Sequence, residues 1–211
     1  MDLGEAVRRR RMVRSFTDRP VARTVVSSLM RDALRSPTAG NTRGVAWLVL
    51  QGPDETGPYW ELTTTPEWRV TSRRWAGLAR APVVALCLTS PEAYLARYAE
   101  PDKHSSGLAA EEAGGGGEPA WPVPYWFGDA AFSTMAVLLG ATASDLGACF
   151  LGTFRGEQPL VDALGVPPGW RLFGSVLLGH PDGRDHRSAS LDRVEPGGAD
   201  RLHRGRWGTA W

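Results

Sequence analysis

The stretch from Gly128 to Gly147 leaves this chain few ways to fold. Ala130, Ala131, Phe132, Met135, Val137, Leu138, Leu139, Ala141 and Leu146 fall on nearly every side of a helical cylinder, and a helix that is apolar all round has to be buried. Asp129 stands near its start as a cap and Gly147 stops it. In a chain of 211 residues, burial on every side points to a second subunit packed against the helix as well as the chain's own sheet. With 42% hydrophobic residues and nine Trp, the chain can otherwise build one substantial core, and its length suits one domain over residues 1–211.

The segments before this helix have clear punctuation. Val21 to Arg35 carries Val25, Val26, Leu29, Met30, Ala33 and Leu34 at helical spacing opposite Arg23, Ser27, Arg31 and Arg35, an amphipathic helix. Val45 to Gln51, bounded by Gly44 and Gly52-Pro53, reads as a buried strand, and Pro82 to Thr89 as a second. Glu55 to Leu62, Pro66 to Ala79 and Pro91 to Tyr98 read as helices whose aromatics serve the core. Residues 99–124 form a long Gly- and Pro-rich loop or lid, and loops of that length are functional or disordered. After the long helix, Cys149 to Phe154 is a strand or turn, Glu157 to Gly165 a short helix and Leu172 to Gly179 a strand.

Several chemistries are excluded at this level. Net charge of +1 does not suit a general nucleic-acid binder, which needs a large basic excess for counterion release. Lys103 is the only lysine, so no phosphate loop of the G-K-[ST] type exists, and neither H-E-x-x-H nor G-x-S-x-G occurs. Cys87 and Cys149 sit in apolar surroundings and read as buried free thiols of a reducing compartment. No metal site is expected from them or from His104, His180, His186 and His203. No apolar run approaches a membrane span, so the expectation is a cytoplasmic protein with no membrane or nucleic-acid partner.

Three stretches carry candidate chemistry. The first is Arg8-Arg9-Arg10-Arg11-Met12-Val13-Arg14-Ser15-Phe16. If helical, it sets Arg10, Arg11 and Arg14 within one turn, where guanidinium forks converge on a small anion such as phosphate; the alternative is a solvated basic face. The second is Pro37-Thr38-Ala39-Gly40-Asn41, a small, polar loop whose backbone can approach a ligand closely. The third is the aromatic run from Trp121 through Tyr125, Trp126 and Phe127, which either plugs a core or roofs a flat ligand.

Taken in order, Arg10-Arg11-Met12-Val13-Arg14-Ser15-Phe16, Ser36 to Asn41, Ser144-Asp145-Leu146-Gly147-Ala148, Leu151-Gly152 and Phe173-Gly174-Ser175-Val176-Leu177-Leu178-Gly179-His180-Pro181 resemble the FMN-dependent nitroreductase family over nearly the whole chain. The resemblance implies an α+β fold with a central, mostly antiparallel sheet flanked by helices, homodimeric through a long buried interface helix. It also implies FMN at the subunit interface, NADH or NADPH as reductant, and ping-pong hydride transfer to a small, flat, electron-poor acceptor such as a nitroaromatic or quinone.

By the same resemblance, Arg10, Arg11 and Arg14 hold the FMN phosphate and ribityl chain. Met12 stands where the family usually has Ser and packs on the cofactor instead. Pro37, Thr38, Ala39, Gly40 and Asn41 line one ring edge, and the Leu151-Gly152 backbone approaches the ring's N5 side. Arg193 is the candidate for a further phosphate contact, although Glu195-Pro196 fall where arginine is expected. Trp121, Tyr125 and Trp126 are candidates for the substrate side. Hydride chemistry belongs to the flavin, so no side-chain nucleophile is expected. Two alternatives remain: an FMN-dependent oxidase or dehydrogenase of a biosynthetic intermediate, or a flavin-cleaving relative, suggested by the 99–124 loop; and a flavin-binding protein without turnover.

Overall fold

The structure is a computed structural model that describes residues 1–109, 117–185 and 201–211. Arg193, His186 and the glycines at 114–116 lie outside the described residues. In chain order the elements are α1 (Leu3–Arg9), α2 (Arg23–Ala33), β1 (Val45–Gln51), α3 (Pro53–Thr63), α4 (Pro66–Thr71), α5 (Trp75–Leu78), β2 (Val83–Thr89), α6 (Pro91–Tyr98), α7 (Tyr125–Ala143), β3 (Gly147–Leu151), α8 (Glu157–Ala163) and β4 (Arg171–Gly179).

Local chemistry starts several of these. Pro53, Pro66 and Pro91 each open a helix, where the missing N–H costs nothing and the fixed φ suits the first turn. Thr65 and Ser90 cap two of them by accepting from the Trp68 and Ala93 amides. The sequence reading of one helix over Pro66 to Ala79 is corrected to two. The Ser72 hydroxyl accepts from the Arg74 amide, a side-chain turn that competes with helix continuation.

The four strands form one sheet in the order β1-β2-β4-β3, antiparallel at every pairing. Strand alternation sends Val83, Ala85, Val176 and Leu178 toward α2 and α7, while Val84, Leu86, Leu88 and Leu177 meet α3 and α8 on the other face. Helices on both faces bury every residue of β2. The outer strands β1 and β3 are three strand spacings apart, about 14 Å.

The long helix departs from expectation at both ends. It begins at Tyr125, so Asp129 sits one turn inside rather than at the cap, and buried. At the far end Asp145 adopts φ 55° and the Leu146 amide donates to the Ala141 carbonyl at 2.9 Å, a left-handed closure that replaces the stop expected of Gly147. Gly147 opens β3 instead. Burial of the cylinder is also incomplete within one chain, since Phe132 is 57% and Met135 48% exposed.

Candidate functional site

Residues 10–16 follow α1 as extended chain, not helix. Met12 bridges Ala148 in parallel and the Val13 amide donates to the Ala148 carbonyl at 2.9 Å, so this segment runs along the free edge of β3. Extended chain alternates its side chains, which puts Arg11 on the face opposite Arg10 and Arg14 and breaks up the trio that a helix would gather. Arg11 is exposed and shares a shallow groove with Val13, Asp145 and Pro181. Convergence of Arg11 with Arg14 is therefore not formed. Arg8 is exposed, and Arg9 pairs with Glu5 across one helical turn at 3.2 Å, which makes these two the solvated face.

Arg10 and Arg14 behave differently. The Arg10 Nη1 is buried and has no hydrogen-bond partner among the described residues. A guanidinium nitrogen withdrawn from water in that way is costly unless an anion meets it. Arg14 turns its Nη1 onto the Met12 carbonyl at 3.1 Å and its amide donates to the Asp185 carboxylate at 2.9 Å. Burial pushes the Cys149 thiol up to about 11, while the positive charges of Arg14 and Arg74 pull against that shift. Arg14 and Arg74 therefore both act electrostatically on Cys149.

Sequence reasoning missed Arg74, which lies far along the chain from Cys149 and reaches it electrostatically only through the fold, with α5 packed on Arg14. The contact is tight: a Cβ on Gly77 would stand 2.6 Å from the Arg14 carbonyl oxygen. Gly77, three residues after the Arg73-Arg74 pair, is the one hint in the sequence. Met12 takes the place where a hydroxyl was expected and uses its sulfur as an acceptor, with the Phe150 amide 3.4 Å from Sδ. Beyond it, β3 ends at Leu151, half-buried, and Gly152, exposed.

The 37–41 loop stands at the other edge, leading into β1. Gly40 at φ 65° and Asn41 at φ 55° are both left-handed, a conformation that glycine tolerates best. Two side chains hold it. The Asp129 carboxylate accepts from the Ala39 amide and from the Tyr94 hydroxyl, each at 2.8 Å, and Arg97 Nε donates to the Gly40 carbonyl at 2.8 Å. Arg97 is itself set by a two-pronged pair with Asp102 at 2.7 Å. Burial, and then the Asp129 carboxylate, push the Tyr94 hydroxyl well above its ordinary value, so it stays a donor. The loop opens onto a cleft of about 430 Å³ beside Arg35, Arg43 and Ser133.

The aromatic run resolves as a plug for two of its members. Trp121 and Trp126 are buried against Tyr94, with Trp121 also edge-on to Tyr98 at 4.7 Å and its indole donating to the Leu108 carbonyl. Tyr125, 45% exposed, is the member that faces outward. Neither thiol is a candidate nucleophile: both are free and buried, and burial pushes Cys87 up to about 12. Among the described residues no cluster of His, Cys, Asp or Glu is arranged to hold a metal ion, and no helix is long and apolar enough to cross a membrane.

Within one chain, then, the buried arginine and the end of β3 share one sheet edge and the 37–41 loop occupies the opposite one. Comparison with known proteins places the whole arrangement. A protein of Archaeoglobus fulgidus with the provisional name NADH dehydrogenase/NAD(P)H nitroreductase is 24% identical over 202 residues, 94% of each chain. The nitroreductase CinD of Lactococcus lactis, solved with nicotinic acid, superposes with a TM-score of 0.68 at 18% identity, over 93% of this chain and all of that one. A provisionally named nitroreductase of Desulfovibrio desulfuricans, solved with FMN, gives 0.62 at 21% identity over 93% of this chain and 98% of that one. The model of the nitroreductase family matches residues 7–180, and the chain belongs to that family.

Proposed function

We propose that the protein is an FMN-dependent oxidoreductase that takes hydride from NADH or NADPH and delivers it to a flat, electron-poor acceptor such as a nitroaromatic or quinone. The observation that carries this reading is the buried, unpartnered Nη1 of Arg10, on the same extended segment as Arg14 along the free edge of β3. That donor set fits a phosphate monoester, since each guanidinium offers paired hydrogen bonds to its oxygens. FMN, which the Desulfovibrio desulfuricans relative binds, carries such a group and supplies hydride chemistry when bound.

The chain's own residues have assignable parts. Arg10 and Arg14 hold the phosphate end, with Arg193 retained as a further contact and Arg11 at the rim. Met12, tied to the Phe150 amide, fills the space beside the cofactor. The backbone at Leu151-Gly152 would lie near the flavin, where an amide could donate to it and favour its hydride chemistry. Pro37, Thr38, Ala39, Gly40 and Asn41 cover the opposite side of the ring.

Those two sets stand at opposite sheet edges, so one chain does not bring them together. A homodimer does. We assign the contact to the exposed stripe of Phe132 and Met135 on α7, continued by Leu3 and Val7 on neighbouring α1, with the loop of one subunit meeting the arginines of the other. Tyr125, the exposed aromatic, is the residue we place on the substrate side; Trp121 and Trp126 support it from within.

The visible absorption spectrum of the purified protein tests the reading directly. A flavin spectrum that bleaches on adding NADH or NADPH is expected. Protein that carries no flavin and takes none up on titration overturns it. A flavin that neither coenzyme reduces in stopped flow favours the oxidase reading instead.

A further inference from the structure

A second cleft, of about 570 Å³, lies between α3, α5 and the strand ends at Gln51 and Pro82. None of the arginines and none of the loop residues assigned to the flavin lines it. We propose that this cleft is a binding site for a small planar aromatic carboxylate.

Its walls are aromatic. Trp60 and Trp75 stand edge-on with ring centroids 5.3 Å apart, and Pro20 and Pro82 extend the apolar surface. Its anion reader is Arg69. This side chain is fixed in place by Nε donating to the Thr64 hydroxyl and Nη2 to the Trp60 carbonyl, both at 2.8 Å, and by its position 5.2 Å from the Trp75 ring centroid. No carboxylate among the described residues pairs with it, so Nη1 keeps a charge-assisted donor for a ligand. A guanidinium already ordered on an aromatic face gives up little further freedom on binding a planar acid. Arg80, also on the lining, is committed to Asp182, and the carboxylates Asp18 and Glu61 lie at exposed positions of the lining.

Gly57 supplies the independent observation. It sits in the interior of α3, where glycine is unfavourable relative to alanine. It lines the cleft, yet a Cβ built on it meets no atom within 4 Å. Among the described residues, none occupies the space next to that missing side chain. Trp60, also a lining residue, keeps its buried indole N–H without a partner among the described residues. The size of the cleft suits a one- or two-ring ligand.

Calorimetric titration of the protein as purified, with 1-naphthoate and with the uncharged 1-naphthylmethanol, tests the assignment. The acid is expected to bind one per chain with Kd below about 1 mM, tighter than the alcohol, and without altering visible flavin absorption. Gly57→Leu, which fills the cleft while improving helix propensity, is expected to weaken the acid roughly tenfold or more, with the melting temperature maintained. Arg69→Gln is expected to weaken the acid by a similar factor and leave the alcohol unchanged. Absence of saturation, equal binding to wild type and Gly57→Leu, or equal loss of acid and alcohol in Arg69→Gln each overturns it. A flavin spectrum perturbed by the acid places the ligand at the other site and does the same.

Discussion

Asp129 and Arg10 are both polar groups carried into the interior, and they differ in what meets them. Asp129 is satisfied by the Ala39 amide and the Tyr94 hydroxyl; Arg10 Nη1 is met by nothing in the described chain. Asp129→Ala should therefore strip two buried donors of their acceptor and lower stability by about 1 to 3 kcal/mol, read by urea denaturation. The same change should loosen the 37–41 loop and with it flavin retention. For Arg10, removal of the charge should leave the fold intact and cost the ligand: Arg10→Ala and Arg14→Ala should each weaken FMN binding by roughly 1.5 to 3 kcal/mol, while Arg8→Ala changes it little. Equal losses at Arg8 and Arg14 in a fluorescence titration would mean the clamp is misplaced.

The thiols belong to the same scale. Burial lifts Cys87 from 9.0 to about 12 and Cys149 to about 11. At pH 8 neither should react with a disulfide reagent in the native state, and both should react after unfolding. Above pH 9 the unfolded chain gives up protons that the folded chain retains, so these groups favour folding below that value and stability falls as pH rises toward 11 to 12.

Among the elements, those read well from sequence are those with local causes. β1 over Val45–Gln51 and α6 over Pro91–Tyr98 follow the expected limits because Gly44, Gly52-Pro53 and the Ser90-Pro91 cap decide them within a few residues. Elements shaped by distant partners were not legible. Residues 10–16 carry helical spacing, yet the open edge of β3 pairs with them as extended chain. Asp129 looks like a cap until the aromatic plug draws the first turn of α7 back to Tyr125. Gly77 lets α5 press on Arg14 and Ser15, a contact between segments far apart in the chain. Gly156 is a similar case: it begins α8 at φ 66°, and a Cβ there would stand 2.0 Å from the Leu62 carbonyl oxygen. Backbone on both sides leaves no easy relief, so Gly156→Ala should destabilise by about 1 to 3 kcal/mol, visible as a lower thermal midpoint.

For the whole molecule, a mostly antiparallel sheet flanked by helices is what the motif order implied, and the structure has it, with four strands. The expectation of a helix buried on every side was half met: α7 closes one face of the sheet and leaves Phe132 and Met135 in solvent. A charge in that stripe would be stranded on association. The double variant Phe132→Glu/Met135→Glu should elute as a monomer with light scattering at one chain mass, where the unaltered protein elutes at two.

The strand order has a consequence for handling the protein. With the arginine segment along β3 and the loop beside β1, the proposed pocket would be complete only in a pair of chains, and colour would then gauge concentration. Serial dilution past the association midpoint should release free flavin, its fluorescence rising as the second power of protein concentration governs reassembly. Stock solutions should be yellow and strongly diluted ones bleached of bound cofactor without any unfolding, and adding protein rather than FMN alone should restore the holoenzyme.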